Sequence, residues 1–102
     1  MKYLYKDYEY YLSKEKRLSK NTIDAYLKDV NQYIYFLEKY HKISKSKHIE
    51  KKHLENYLKT LRKKYSDSTY ARKLTALKSF YQFMEIENEI DFSSANDNKG
   101  GD

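Results

Sequence analysis

Residues 19–40 read SKNTIDAYLKDVNQYIYFLEKY, and the fold class follows from this segment. Ile23, Leu27, Val30, Ile34 and Leu37 recur at i, i+4, i+7, i+11 and i+14, the spacing of one helical face, with Tyr26, Tyr33 and Tyr40 widening it. The run Ser19-Lys20-Asn21-Thr22 ahead of it supplies side-chain oxygens that can accept the orphan N–H groups of a helix start.

Similar patterns lie on either side. Leu4, Tyr8, Tyr11 and Leu12, with Tyr5 beside them, predict a short amphipathic helix over Tyr3 to Lys16. Between Tyr40 and Lys52 the apolar period lapses into a basic stretch, expected to be the longest connection, anchored by Ile43 and Ile49. Leu54, Tyr57, Leu58 and Leu61 mark a third helix whose last turn is rich in Lys and Arg, where cations complement the helix dipole. Tyr65-Ser66-Asp67-Ser68 is a turn with capping chemistry, and Tyr70, Leu74, Leu77, Tyr81 and Met84 form the face of a fourth helix with Phe80 at its edge. Residues 1–86 are thus expected to form one globule. Residues 87–102 read as an acidic, largely disordered tail or interdomain linker, in which Ile90 or Phe92 docks locally.

Composition supports an all-α reading. The 102 residues contain no proline, and the two glycines stand at 100 and 101, so the usual punctuation of hairpins and glycine-rich phosphate loops is missing. No cofactor is expected. The absence of cysteine removes disulfides and thiolate metal sites. With 39% hydrophobic residues the chain can build a core, although its mean hydropathy is −1.08. No apolar run approaches the roughly 20 residues of a membrane span, and the opening MKYLYKDYEY lacks a signal-peptide core, so a cytoplasmic protein is expected.

The net charge of +6 hides an asymmetry. Residues 1–84 hold 20 Lys and Arg against 9 Asp and Glu, or +11, whereas residues 85–102 hold 1 against 6, or −5. A basic globule attracts phosphate backbones, although an excess of Lys accompanied by Tyr, Asn and Ile is also the mark of AT-rich coding. Placement carries more. Asn21, Ala25, Lys28 and Gln32 share one stripe of the second helix, and Ser68, Arg72, Thr75 and Ser79 share one of the fourth, flanked by Thr69, Lys73, Ala76 and Lys78. Short hydroxyls and alanine let a helix approach another surface closely, and hydroxyls, Asn and Arg donate to phosphates or base edges. Duplex DNA fits this pattern, and so does a protein partner. A membrane surface fits less well, because no apolar face is left over once the core is satisfied.

Catalytic and metal sites find little support. His41, His48 and His53 are spaced by seven and five, which does not set two ligands on one helical face. Most of the 13 tyrosines fall at core spacing, and the paired acids lie on solvated surfaces.

Two motifs resemble a known family. Leu12 and Glu15 followed by Leu18-Ser19-Lys20-Asn21-Thr22-Ile23-Asp24-Ala25-Tyr26-Leu27-Lys28-Asp29 look like the opening of the N-terminal core-binding domain of tyrosine recombinases, the phage-integrase and Xer type. Ser68-Thr69-Tyr70-Ala71-Arg72-Lys73-Leu74-Thr75-Ala76-Leu77-Lys78-Ser79-Phe80-Tyr81-Gln82-Phe83 is similar to the family's S-T-x-x-R-K-L-S-A-L-R-S-F-Y-x-F helix. The resemblance covers about Tyr8 to Met84. It implies a compact orthogonal SAM-like bundle of four helices that forms one arm of a clamp on duplex DNA at a recombination core site, beside other recombinase protomers. The chemistry would reside in a larger C-terminal catalytic domain, with its tyrosine nucleophile, that this chain is too short to contain. Carried over by position, the DNA-facing residues are Lys20, Asn21, Thr22 and Lys28, then Ser68, Thr69, Arg72, Lys73 and Thr75. Tyr26 and Asp29 also match family positions, where packing or capping is an equally good account. The family's Asn-Pro junction after the fourth helix is missing, which leaves either a domain cut in its linker or a stand-alone relative. Unrelated to DNA, the alternative is a small basic helical protein-interaction module.

Overall fold

The computed structural model describes residues 2–87, which form helices and no strands. Helix α1 spans Lys2–Tyr10 and passes into a π-helical turn at Tyr11–Glu15; α2 spans Lys20–His41; a 3₁₀ turn covers Ser46–His48; α3 spans Lys51–Lys64 and α4 spans Asp67–Ile86. The expected tail, with Ile90 and Phe92, lies almost wholly outside the described residues.

The helix starts follow one local rule. Ser19 caps α2 by accepting the Thr22 N–H at 3.3 Å, and Ser66 caps α4 by accepting the Thr69 N–H at 3.5 Å. Helix α2 stops at Lys42, a left-handed residue (φ 54) whose N–H reaches the Leu37 carbonyl, and the Ile43 N–H bonds the same oxygen at 3.1 Å. Arg17 plays the corresponding part before α2, with φ 53. In a chain whose glycines stand only at 100 and 101, long cations occupy these positions at a cost of roughly 1–2 kcal/mol each. Ile43 and Ile49 are both buried and hold the basic connection to the core, as their spacing predicts.

Tyr8, Leu12, Val30, Tyr33, Leu37, Leu77, Phe80 and Met84 form the centre of the core. Tyr8 of α1 meets Phe80 edge-on at 5.2 Å, and its hydroxyl donates to the Ala76 carbonyl at 3.2 Å. Tyr33 of α2 and Tyr81 of α4 share a buried hydroxyl–hydroxyl hydrogen bond. The Arg62 guanidinium of α3 lies 4.6 Å from the Tyr70 ring centre of α4. Helix α4 is therefore covered from three sides, which corrects two expectations: Phe80 is fully buried, not at an edge, and Ala76 is core, not part of a polar flank. Tyr40 departs in the opposite sense. It is 65% exposed and packs on Phe36 and Lys39, because the chain turns away at Lys42 to bury Ile43.

His53, buried at the first turn of α3, accepts the Glu50 N–H on Nδ1 at 2.8 Å, with the His41 ring 4.8 Å away. Burial lowers its pKa, and neighbouring His41 and Lys52 act in the same direction against an opposing Glu50. A protonated Nδ1 also loses its role as acceptor. Because the folded state disfavours the proton, this stabilisation is present above the ordinary histidine range near 6.5 and is lost as pH falls below it. Urea unfolding at pH 7.5 and 5.0 should show a loss of stability on acidification that shrinks in a His53→Gln variant. Equal losses in both proteins would exclude His53 as its source.

Candidate nucleic-acid interface

The centre of the polar surface is a carboxylate that the chain buries. Asp29 on α2 is 1% exposed, and its two oxygens accept from Arg72 Nε at 3.1 Å and Arg72 Nη2 at 2.9 Å, a bidentate pair across to α4. Lys73 Nζ donates to Asp29 Oδ1 at 2.9 Å and to Gln32 Oε1 at 2.7 Å, and lies 4.9 Å from the Tyr65 ring centre. Two cations thus share one carboxylate, so the cluster carries a net positive charge. Lys73 is enclosed, and the surplus is displayed at the Arg72 side chain, which is 48% exposed. With Nε and one Nη2 hydrogen committed, its remaining N–H groups are held in a fixed plane facing outward.

This arrangement sorts the residues expected to face DNA. Lys20, Asn21, Lys28, Ser68, Arg72 and Thr75 are exposed, and Thr22 and Thr69 are half-buried at the helix starts. Lys73 is the exception. At 4% exposure its ammonium is spent inside the protein, so it braces α2 against α4 and supports Arg72 without reaching a partner itself. Gln32, read from the wheel as part of an outer stripe, is drawn to the same brace. Asp29 takes the packing role that its wheel angle allowed.

Hydroxyl geometry separates the remaining candidates further. Ser19 and Ser66 each donate to the threonine three residues on, at 3.0 Å and 3.3 Å, so Thr22 and Thr69 keep their own hydroxyl hydrogens for a partner. Thr75 instead donates back to the Ala71 carbonyl at 3.0 Å and offers lone pairs and a methyl group. An open groove of about 560 Å³ runs beside it, lined by Leu18, Tyr26, Thr75, Lys78, Ser79 and Gln82 among others. Lys20 borders a different depression, formed with Lys6, Tyr10, Lys14 and Ile23 on the α1 side. The structure therefore brings Arg72 to α2 at Asp29, next in sequence to Lys28, and sets Lys20 beside the depression on the α1 side.

The buried phenols point away from nucleophilic chemistry. Burial pushes Tyr57 up to about 12, and Tyr8, Tyr33 and Tyr81 further still, so these hydroxyls stay protonated. Among the described residues no group of three or more His, Asp or Glu side chains could hold a metal ion, and no helix is long and apolar enough to cross a membrane.

Known proteins resemble most of this chain in sequence. The tyrosine recombinase XerC of Natranaerobius thermophilus is 35% identical over 85 residues, which cover 82% of this chain and 28% of the relative. A tyrosine recombinase of Pseudothermotoga lettingae is 32% identical over 89 residues, 84% of this chain and 30% of the relative. The tyrosine recombinase XerD of Halalkalibacterium halodurans is 34% identical over 71 residues, 69% of this chain and 24% of the relative. The chain spans less than a third of the length of these relatives. No solved structure matches it significantly. The family described as the phage integrase N-terminal SAM-like domain matches residues 5–88, from α1 to just past the end of α4, and the chain belongs to that family.

Proposed function

We propose that this domain grips duplex DNA for a tyrosine recombinase in the cytoplasm, holding a recombination core site while a separate catalytic domain cuts and rejoins strands beside other protomers. The relatives' names and the family point to recombination. The observation that carries DNA contact is the Arg72 guanidinium, clamped by a buried carboxylate and half open to solvent. A fork held in plane suits bidentate recognition of phosphate or a guanine edge. Around it Asn21, Thr22 and Lys28 on α2 and Ser68, Thr69 and Thr75 on α4 supply the shorter contacts, with Lys20 on the α1 side.

Arg72→Ala is expected to lower affinity for a core-site duplex by about 1–3 kcal/mol, roughly five- to 150-fold, if the fork reads a base. Asp29 keeps Lys73 as partner in that variant, so thermal melting should move little. Arg72→Lys should not restore binding, since a point charge cannot reproduce the fork. Fluorescence-anisotropy titrations read the affinities, and circular-dichroism melts read the stability. Wild-type affinity that is indifferent to salt, or to Arg72, would overturn the reading.

A further inference from the structure

The +11 of residues 1–84 is placed unevenly in space. Helix α2 holds three Lys against three carboxylates, and α4 three cations against two carboxylates, one of those cations being the enclosed Lys73. Taken as whole helices, α2 and α4 together thus carry a net charge of only +1. Residues 42–64 hold nine Lys and Arg against two Glu, or +7, and every cation of α3 is exposed. Among the described residues no carboxylate pairs with Lys59, Lys63 or Lys64.

The last turn of α3, which carries Lys63 and Lys64, lies beside the start of α4. Arg62 stacked on Tyr70 pins the last turn of α3 to the start of α4, and Tyr65 in the turn lies under Lys73, so the end of α3 abuts the helix start bearing Ser68, Thr69 and Arg72. Building on the DNA reading above, we infer that Lys59, Lys63 and Lys64 form a second contact surface, which holds the duplex phosphate backbone flanking the α2/α4 contact and supplies much of the salt-dependent affinity. The chemistry is that of exposed point charges with no carboxylate partner, Lys64 lying 5.5 Å from the Tyr65 ring centre, and such charges neutralise phosphates without reading bases. In this division of labour α4 positions and reads, and α3 attracts.

The test is a duplex titration between about 50 and 200 mM salt with Lys59→Gln/Lys63→Gln/Lys64→Gln. Loss of three phosphate contacts should flatten the slope of log K against log salt by about 2.7, so that the salt-induced fall in affinity over that range shrinks roughly forty-fold. The ratio of core-site to unrelated-duplex affinity should stay as in wild type. The double variant Lys59→Gln/Lys63→Gln should lose about 1.8 of slope, which covers the case in which the triple variant folds poorly. A variant with unchanged helicity and a wild-type slope would overturn this inference alone. Wild-type protein with no salt-dependent duplex binding would remove the DNA reading with it. Binding to phosphatidylserine vesicles in preference to duplex would reassign the surface to lipid and likewise overturn it.

Discussion

Asp29→Ala is expected to destabilise the domain by about 3–5 kcal/mol, because it leaves the Lys73 ammonium buried without its counter-charge. Lys73 is 4% exposed, and among the described residues its ammonium meets one counter-charge, Asp29; Gln32 and the Tyr65 ring cannot neutralise it. Arg72 would lose both bonds as well, but it is half in water and its share is correspondingly smaller. At 4–8 °C per kcal/mol for a domain of this size, the melting midpoint should fall by more than about 12 °C. The reverse change is predicted to be mild. Lys73→Met leaves Asp29 held by the Arg72 fork and keeps the apolar volume of the stem, so a cost within about 2 kcal/mol is expected. Asp29→Leu combined with Lys73→Met should recover most of the loss of the single Asp29 variant, since exchanging a buried pair for apolar groups is often neutral. Urea unfolding followed by circular dichroism measures all three. A cost below about 1 kcal/mol for Asp29→Ala would mean that the buried charge is not what this brace resolves.

The same brace shows where sequence reading stopped. Helix positions, the capping segments that hold Ser19 and Ser66, the basic connection anchored by Ile43 and Ile49, and the exposed run of Ser68, Arg72 and Thr75 were all legible, because each is a local property of spacing or capping. Lys73 was not. It stands in register with Leu77, Phe80 and Met84, at i+4, i+7 and i+11, but its hydropathy argues for solvent, and the carboxylate that permits its burial lies 44 residues away. A cation in core register on one helix and a carboxylate in core register on another is a signal of a buried pair, visible only when both helices are read together. The charge map failed for a related reason: a sum along the chain gave +11 to the globule without separating the nearly neutral α2 and α4 from the strongly basic α3.

A helical wheel likewise gives angles but not the number of neighbours, and Phe80 turns that into a measurement. By spacing alone Leu74 belongs to the buried face of α4 and Phe80 to its edge, so Leu74→Ala would be the costlier change. In the structure Leu74 is half-buried, whereas Phe80 is completely enclosed, with Tyr8 edge-on at 5.2 Å and the rings of Tyr81 and Phe83 within 6.4 Å. Phe80→Ala should therefore cost about 3–5 kcal/mol, from lost burial and from a cavity that α1 cannot close without pulling Tyr8 off the Ala76 carbonyl. Leu74→Ala, whose site can relax into solvent, should cost less than about 2 kcal/mol. Chemical denaturation of the two variants side by side gives the order directly. If Leu74→Ala proved the more damaging, α4 would be packed on one side only, and the contacts that join α1 to the polar face of α2 and α4 would have to be redrawn.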